Sequence, residues 1–202
     1  MIRNIVFDMG MVLLIYNPML PCLRHAGSEE EARRVYEAIF MAPEWVDGLD
    51  RGAITEEALL EAAQSRLDTP RLRRLAADVM ADWHLDALWP KEGMDAVIES
   101  LLARGYRLYV LSNAGTRFHA YEYKIPHLKA FSGVLISAEE RLLKPSPEIY
   151  RRLCDRFGLT AEECLFIDDV PRNVEGAEAV GMTGYCYADG DVKRLSAFLA
   201  SI

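Results

Sequence analysis

In the stretch Ile2–Pro18, "IRNIVFDMGMVLLIYNP", every residue from Ile5 to Ile15 is apolar or glycine except Asp8. A carboxylate buried among such neighbours without a partner is costly. Asp8 therefore needs either a compensating charge or a chemical task. Ile2–Phe7 is short, apolar and rich in β-branched residues, which reads as a buried strand. Asp8 follows directly on that strand, and Gly10, two residues later, offers no side chain at all.

Beyond this opening the periodicity changes. From about Pro18 to Trp89 the pattern is helical, with no strand signal inside it. "SEEEARRVYEAIF" begins with Ser28 as an N-cap and three acids in the first turn. "TEEALLEAAQSRL" repeats that design from Thr55, after the turn signal "DRG". "TPRLRRLAADVMADW" has Pro70 at the first helical position.

After Pro90 strands and helices alternate. The strands read as "YRLYVLS", "GVLIS", "ECLFID" and "TGYCYA"; the helices as "KEGMDAVIESLLARG", "SPEIYRRLCDRFG", "PRNVEGAEAVG" and "DVKRLSAFLAS". Such alternation implies βαβ units and a parallel sheet. Right-handed crossovers place the C-terminal strand ends along one edge, where ligands of open parallel sheets bind. The expected fold is a doubly wound, Rossmann-like α/β core of residues 1–15 and 90–202. Residues 16–89 form a small helical cap inserted after the first strand.

The chain of 202 residues is about half apolar, enough for a sizeable core. Its net charge of −8 argues against nucleic acid or an anionic membrane as main partner, but not against a small anionic substrate at a local positive site. No apolar run is long enough to span a membrane, and a strand starting at Ile2 leaves no room for a signal peptide. Cys22, Cys154, Cys164 and Cys186 show no metal-ligand spacing and read as reduced core thiols of a cytoplasmic protein.

The polar residues that interrupt the pattern all fall at expected strand ends: Asp8, then Ser112 and Asn113, then Lys144 in the loop after "GVLIS", then Asp168 and Asp169. Each alone could be a turn or a helix cap. Together, in order, at one edge of one sheet, they suggest phosphoryl transfer. A carboxylate can accept a phosphoryl group. Attack of one anion on another needs Mg²⁺, which takes few protein carboxylates and keeps phosphate oxygens and water as ligands. A lysine adds a point charge, and a hydroxyl with a backbone N–H at a helix start holds phosphate oxygens.

These segments resemble the haloacid dehalogenase superfamily of hydrolases over essentially the full length. "FDMGMVL", "VLSN", "LKP" and "FIDDVPRNVEGAEAVGM" stand where that superfamily has its four motifs. Within it, the chain is similar to the bacterial α-D-glucose-1-phosphate phosphatase group. The resemblance implies Asp8 as nucleophile and metal ligand, the Gly10 carbonyl and Asp169 as further Mg²⁺ ligands, and Asp168 as an indirect support through water. It implies Ser112, Asn113 and Lys144 as phosphate-binding, with Lys144 also catalytic. The substrate would be a small phosphorylated metabolite.

Gly10 departs from the pattern, because most phosphatases of the superfamily carry there an Asp that protonates the leaving group. Sugar 1-phosphates and acyl phosphates, whose leaving groups are less basic, suffer less from that loss than alkyl esters. The native rate is thus expected to fall steeply with leaving-group basicity unless a cap residue such as His25 donates the proton. Specificity is expected near Tyr16, Asn17, Trp45 and Trp83. Two other readings stay open. One is a metal-independent haloacid dehalogenase, which also uses an Asp nucleophile. The other is a non-catalytic protein that binds a phosphometabolite.

Overall fold

The computed structural model describes all 202 residues, Met1–Ile202. A five-stranded parallel sheet forms its centre. In chain order its strands are β1 (Asn4–Phe7), β4 (Arg107–Ser112), β5 (Gly133–Ile136), β6 (Cys164–Asp168) and β7 (Thr183–Cys186), arranged β5-β4-β1-β6-β7. The first strand of the chain is thus the central one, with β4 on one side in the register Phe7↔Val110 and β6 on the other in the register Phe7↔Ile167.

Alternation along the three central strands builds two core layers. Ile5, Phe7, Leu108, Val110, Leu165 and Ile167 belong to one buried cluster, and Val6, Tyr109, Leu111, Cys164 and Phe166 to the other. Helices α5 (Met94–Ala103) and α10 (Val192–Ala200) bury Val97, Ile98, Leu195 and Leu199 in the first layer. Helices α8 (Pro147–Phe157) and α9 (Pro171–Glu178) bury Ile149, Tyr150, Leu153 and Ala177 in the second. Strands covered on both faces lose the polar alternation of half-exposed ones, which is why β1, β4 and β6 read as continuous apolar runs. Edge strand β7 is less covered. Its Cys186 is exposed, which corrects the expectation that all four cysteines are core thiols; all four are free.

A helical insert lies between two short strands, β2 (Leu14–Tyr16) and β3 (Leu88–Pro90). It comprises α1 (Met19–His25), α2 (Glu29–Ile39), a π-helical turn (Glu44–Asp50), α3 (Glu56–Ser65) and α4 (Pro70–Asp86). The caps are the expected ones: Ser28, Thr55 and Thr69 accept from the backbone N–H of Glu31, Ala58 and Leu72 at 3.2, 3.3 and 3.2 Å. β2 and β3 pair antiparallel, with Ile15 opposite Trp89. This ribbon straddles the expected boundaries at 15/16 and 89/90. The reading of the block as strand-free is therefore corrected at its last residues. Three-residue strands are too short to print a period on the sequence, and their pairing joins segments more than seventy residues apart. Val12, Leu13 and Leu14 share one continuous buried cluster with Val35, Leu59, Val79 and Trp83 of the insert.

Candidate active site

All the interrupting polar residues are brought together at the C-terminal edge of the sheet. Asp8 leaves β1 with its backbone N–H still donating to Ile167 at 2.8 Å, so the strand ladder fixes where its side chain starts. Lys144 Nζ donates to Asp8 Oδ1 and to Asp168 Oδ2, both at 2.6 Å, and its side chain is 2% exposed. Asp168 is wholly buried and its oxygens are fully engaged. Besides Lys144 they accept from the Val170 N–H at 2.8 Å and from Asn173 Nδ2 at 3.1 and 3.0 Å. Tyr150 in turn donates its hydroxyl to the Asn173 carbonyl at 2.7 Å. Asp169 is half-buried, with no ion-pair partner of its own. The division of labour between the adjacent acids is visible here: Asp168 holds the lysine, and Asp169 stays open.

The electrostatics follow from that packing. Burial pushes the Asp8 carboxyl up to about 6; Lys144 pulls it down, and Asp168 and Asp169 push it up further. Asp169 is raised by burial and then by Asp168. Burial opposes the charge on Lys144, but Asp8 and Asp168 outweigh it and hold the ammonium above its usual range. Ligand oxygens of Asp8, Asp168 and Asp169 lie within 4.8 Å of one another, and Lys144 pairs with only the first two. Such a set suits a hard divalent cation, which would relieve the repulsion that lifts Asp8 and Asp169.

Ser112, the last residue of β4, is buried beside this cluster and lines the same cavity. Asn113 lines it too, but its side chain serves the lysine loop: Nδ2 donates to the Lys144 carbonyl at 3.1 Å and Oδ1 accepts from the Lys144 N–H at 2.8 Å. Its amide therefore positions Lys144. At Gly10 an added Cβ would meet only Asp8 Oδ2, at 3.9 Å, so the missing side chain leaves room above Asp8.

The cavity over Asp8 measures ≈ 230 Å³. An aromatic wall is built by Tyr16, Trp45 and Trp83 of the insert together with Tyr121 from the segment after β4. Trp45 meets Trp83 edge-on at 5.2 Å, Trp83 meets Tyr121 at 5.7 Å, and Tyr16 meets Trp83 at 6.2 Å. The Tyr16 hydroxyl and Trp83 Nε1 are buried without a hydrogen-bond partner. Arg117 lines the rim, locked to Glu56 by Nε–Oε1 at 2.6 Å and a second N–H to the other oxygen. Tyr16, Trp45 and Trp83 were expected here. Asn17 is not in the lining; it accepts from the Met19 N–H at 3.2 Å at the start of α1. His25 is not in the lining either. Its Nε2 lies 2.9 Å from Asp82 Oδ1 on another face of the insert, which corrects its candidacy as proton donor.

Asp50, Leu49, Arg117 and Tyr121 line the cavity without having been singled out from sequence. Asp50 had read as the first residue of a turn, "DRG". It is 7% exposed, and burial raises its carboxyl well above the usual range despite the Gly115 backbone N–H. A buried acid beside a glycine turn was the available signal, but only the packed π-helical turn reveals the burial.

The family of haloacid dehalogenase-like hydrolases matches residues 2–181. A sesquiterpene phosphatase of Aspergillus oryzae is 26% identical over 187 residues, covering 91% of this chain and 89% of that one. An (S)-2-haloacid dehalogenase of Pseudomonas sp. is 27% identical over 89% of this chain and 82% of its own. Among solved structures, a mutant of the HAD family enzyme bt-2542 of Bacteroides thetaiotaomicron, in complex with magnesium and inorganic phosphate, shares the fold. Its TM-score is 0.73 at 20% identity, over 96% of this chain and 99% of that one.

Proposed function

The chain belongs to the haloacid dehalogenase-like hydrolase family, and from that premise we propose that it is a Mg²⁺-dependent phosphatase of small-molecule monoesters, working through an aspartyl phosphate on Asp8. The observation that carries this reading is the charge balance of the site. Asp8 and Asp168 share the ammonium of Lys144, and the adjacent Asp169, within the same cluster of carboxyl oxygens, has no ion-pair partner. A dehalogenase, which needs no cation, has no use for the open Asp169.

Asp8, Asp169 and the Gly10 carbonyl would hold the Mg²⁺, with Asp168 acting indirectly through Lys144 and water. The ion would supply charge compensation for a phosphate dianion meeting a carboxylate. Lys144 orients Asp8 and adds its own charge. Ser112 and the Asn113 backbone N–H bind phosphate oxygens. Residues 16–89 act as the cap over a core of residues 1–15 and 90–202, closing the cavity against water. Four unpaired cysteines accord with a reducing, cytoplasmic setting.

The aromatic wall favours a leaving group that is largely apolar. A sugar buried there would need a partner at each of its hydroxyls, more than the two free groups of the wall, Tyr16 OH and Trp83 Nε1–H, supply. The sesquiterpene phosphatase relative points the same way. A sugar 1-phosphate, which the motifs' resemblance suggests, is the second reading. The test is p-nitrophenyl phosphate hydrolysis with Mg²⁺ and with EDTA, then isoprenyl phosphate against α-D-glucose 1-phosphate. Turnover that survives EDTA, or halide release from 2-chloropropionate, would overturn the phosphatase reading. Faster sugar hydrolysis would overturn the apolar preference.

A further inference from the structure

Gly10 leaves the leaving-group oxygen without an acid at that position, so a proton donor has to come from elsewhere in the cavity lining. Glu56 is tied to Arg117, and Lys144 is held between Asp8 and Asp168. Burial raises the phenols of Tyr16 and Tyr121, with the Asp50 charge adding to both, which makes them weak donors near neutrality. Asp50 alone remains as a lining carboxyl outside the Asp8 cluster with no cation beside it.

The backbone around Asp50 is anchored to the core. Ser137 Oγ donates to the Asp50 carbonyl at 2.5 Å and accepts from the Ala114 N–H at 2.9 Å, linking the π-helical turn to the loop that follows β4. Two residues on, Gly52 has φ +69° and approaches the Ala138 carbonyl so closely that a Cβ would collide with it. Asp50 is thus carried on the insert but fixed against the same strand-end loops that hold Ser112 and Asn113.

We propose that Asp50 is the general acid and base of the reaction, standing across the cavity in place of the side chain absent at Gly10. This rests on the phosphatase reading above. In the first step Asp8 forms a bond to phosphorus, the P–O bond to the leaving group breaks, and the departing oxygen takes the proton of the Asp50 carboxyl. In the second, water attacks the aspartyl phosphate and gives its proton to the Asp50 carboxylate. Phosphate leaves, Asp8 is regenerated as carboxylate, and Asp50 is again protonated. The buried environment that raises Asp50, with Tyr16 and Tyr121 near it and the Gly115 backbone N–H as its donor, suits an acid that must be loaded before each turnover. It also reverses the steep leaving-group dependence expected from Gly10 alone.

The experiment is a series of phosphate monoesters of graded leaving-group pKa, from p-nitrophenyl to primary alkyl, with Mg²⁺. The native enzyme should show a shallow dependence of kcat/KM on that pKa. Asp50→Asn should steepen it, so that the alkyl ester loses about 10²-fold or more relative to p-nitrophenyl phosphate, within the usual range for removal of a general acid. Gly10→Asp added to Asp50→Asn should restore the shallow slope, since space for it exists above Asp8. Should Asp50→Asn fail to fold, the native slope decides: a steep one overturns the proposal. So does equal loss on all esters in Asp50→Asn, or a steepened slope in His25→Ala. Absence of any Mg²⁺-dependent hydrolysis of p-nitrophenyl phosphate would instead sink the phosphatase reading, and this inference with it.

Discussion

Replacing Asp8 by asparagine should stop turnover and at the same time strengthen the metal-free fold. The native carboxyl sits at about 6 against an ordinary value of 3.8. Each pKa unit corresponds to about 1.36 kcal/mol, so keeping Asp8 ionised in the fold costs about 3 kcal/mol. The folded value lies above the unfolded one, and the native state therefore binds more protons than the unfolded chain across that window. Stability consequently falls as pH rises from about 4 to 6. Asparagine never carries the charge. Lys144 keeps Asp168 at 2.6 Å and is not orphaned. The variant should be more stable by about 3 kcal/mol at pH 8, by about half of that near pH 5, and hardly at all below pH 4. Urea unfolding in EDTA at these pH values reads the gap directly from the shift in midpoint. Saturating Mg²⁺ should narrow it by stabilising the native protein alone. An Asp8→Asn variant less stable than the native protein at pH 8, or a gap independent of pH, would refute this account of the site's electrostatics.

Lys144→Met removes the shared cation from Asp8 and Asp168; the metal-free fold should lose about 3–5 kcal/mol at pH 8, and less near pH 5, where Asp8 takes up a proton, as urea titrations at the two pH values would report. In Asp169→Asn the rise in melting temperature on adding Mg²⁺ should shrink along with activity; an undiminished rise would exclude Asp169 as a ligand. Gly52→Ala should cost more than about 1 kcal/mol, because a side chain at this positive φ is strained and meets the Ala138 carbonyl, and should depress kcat on alkyl esters by displacing Asp50. His25→Ala should keep kcat/KM within about twofold, the range of a surface change away from the site, since His25 packs against Asp82.

For polar residues at strand ends, the sequence alone was enough to place them on one edge of the sheet. Ile5–Phe7 could be recognised as buried because a central parallel strand needs apolar residues on both faces, and Asp8, Lys144, Asp168 and Asp169 then stood out against that background. Topology carried them to one edge without any knowledge of their contacts. Ser28, Thr55 and Thr69 were equally legible, because a cap acts within three residues of itself.

What tertiary structure alone decided involves partners far apart in the chain. The β2–β3 ribbon pairs residues 14–16 with 88–90, too short for either strand to announce itself. Asn113 serves the backbone of Lys144 rather than only a ligand. His25, an apparent proton donor, faces Asp82, whereas Asp50, an apparent turn residue, is buried in the lining of the cavity that holds Asp8. A helical pattern shows which face of the insert is apolar, but not how the insert is rotated over the sheet. That rotation is set by packing, here by Ser137 on the Asp50 carbonyl and by Gly52 against Ala138, and it chooses which side chains of the insert reach the cavity over Asp8.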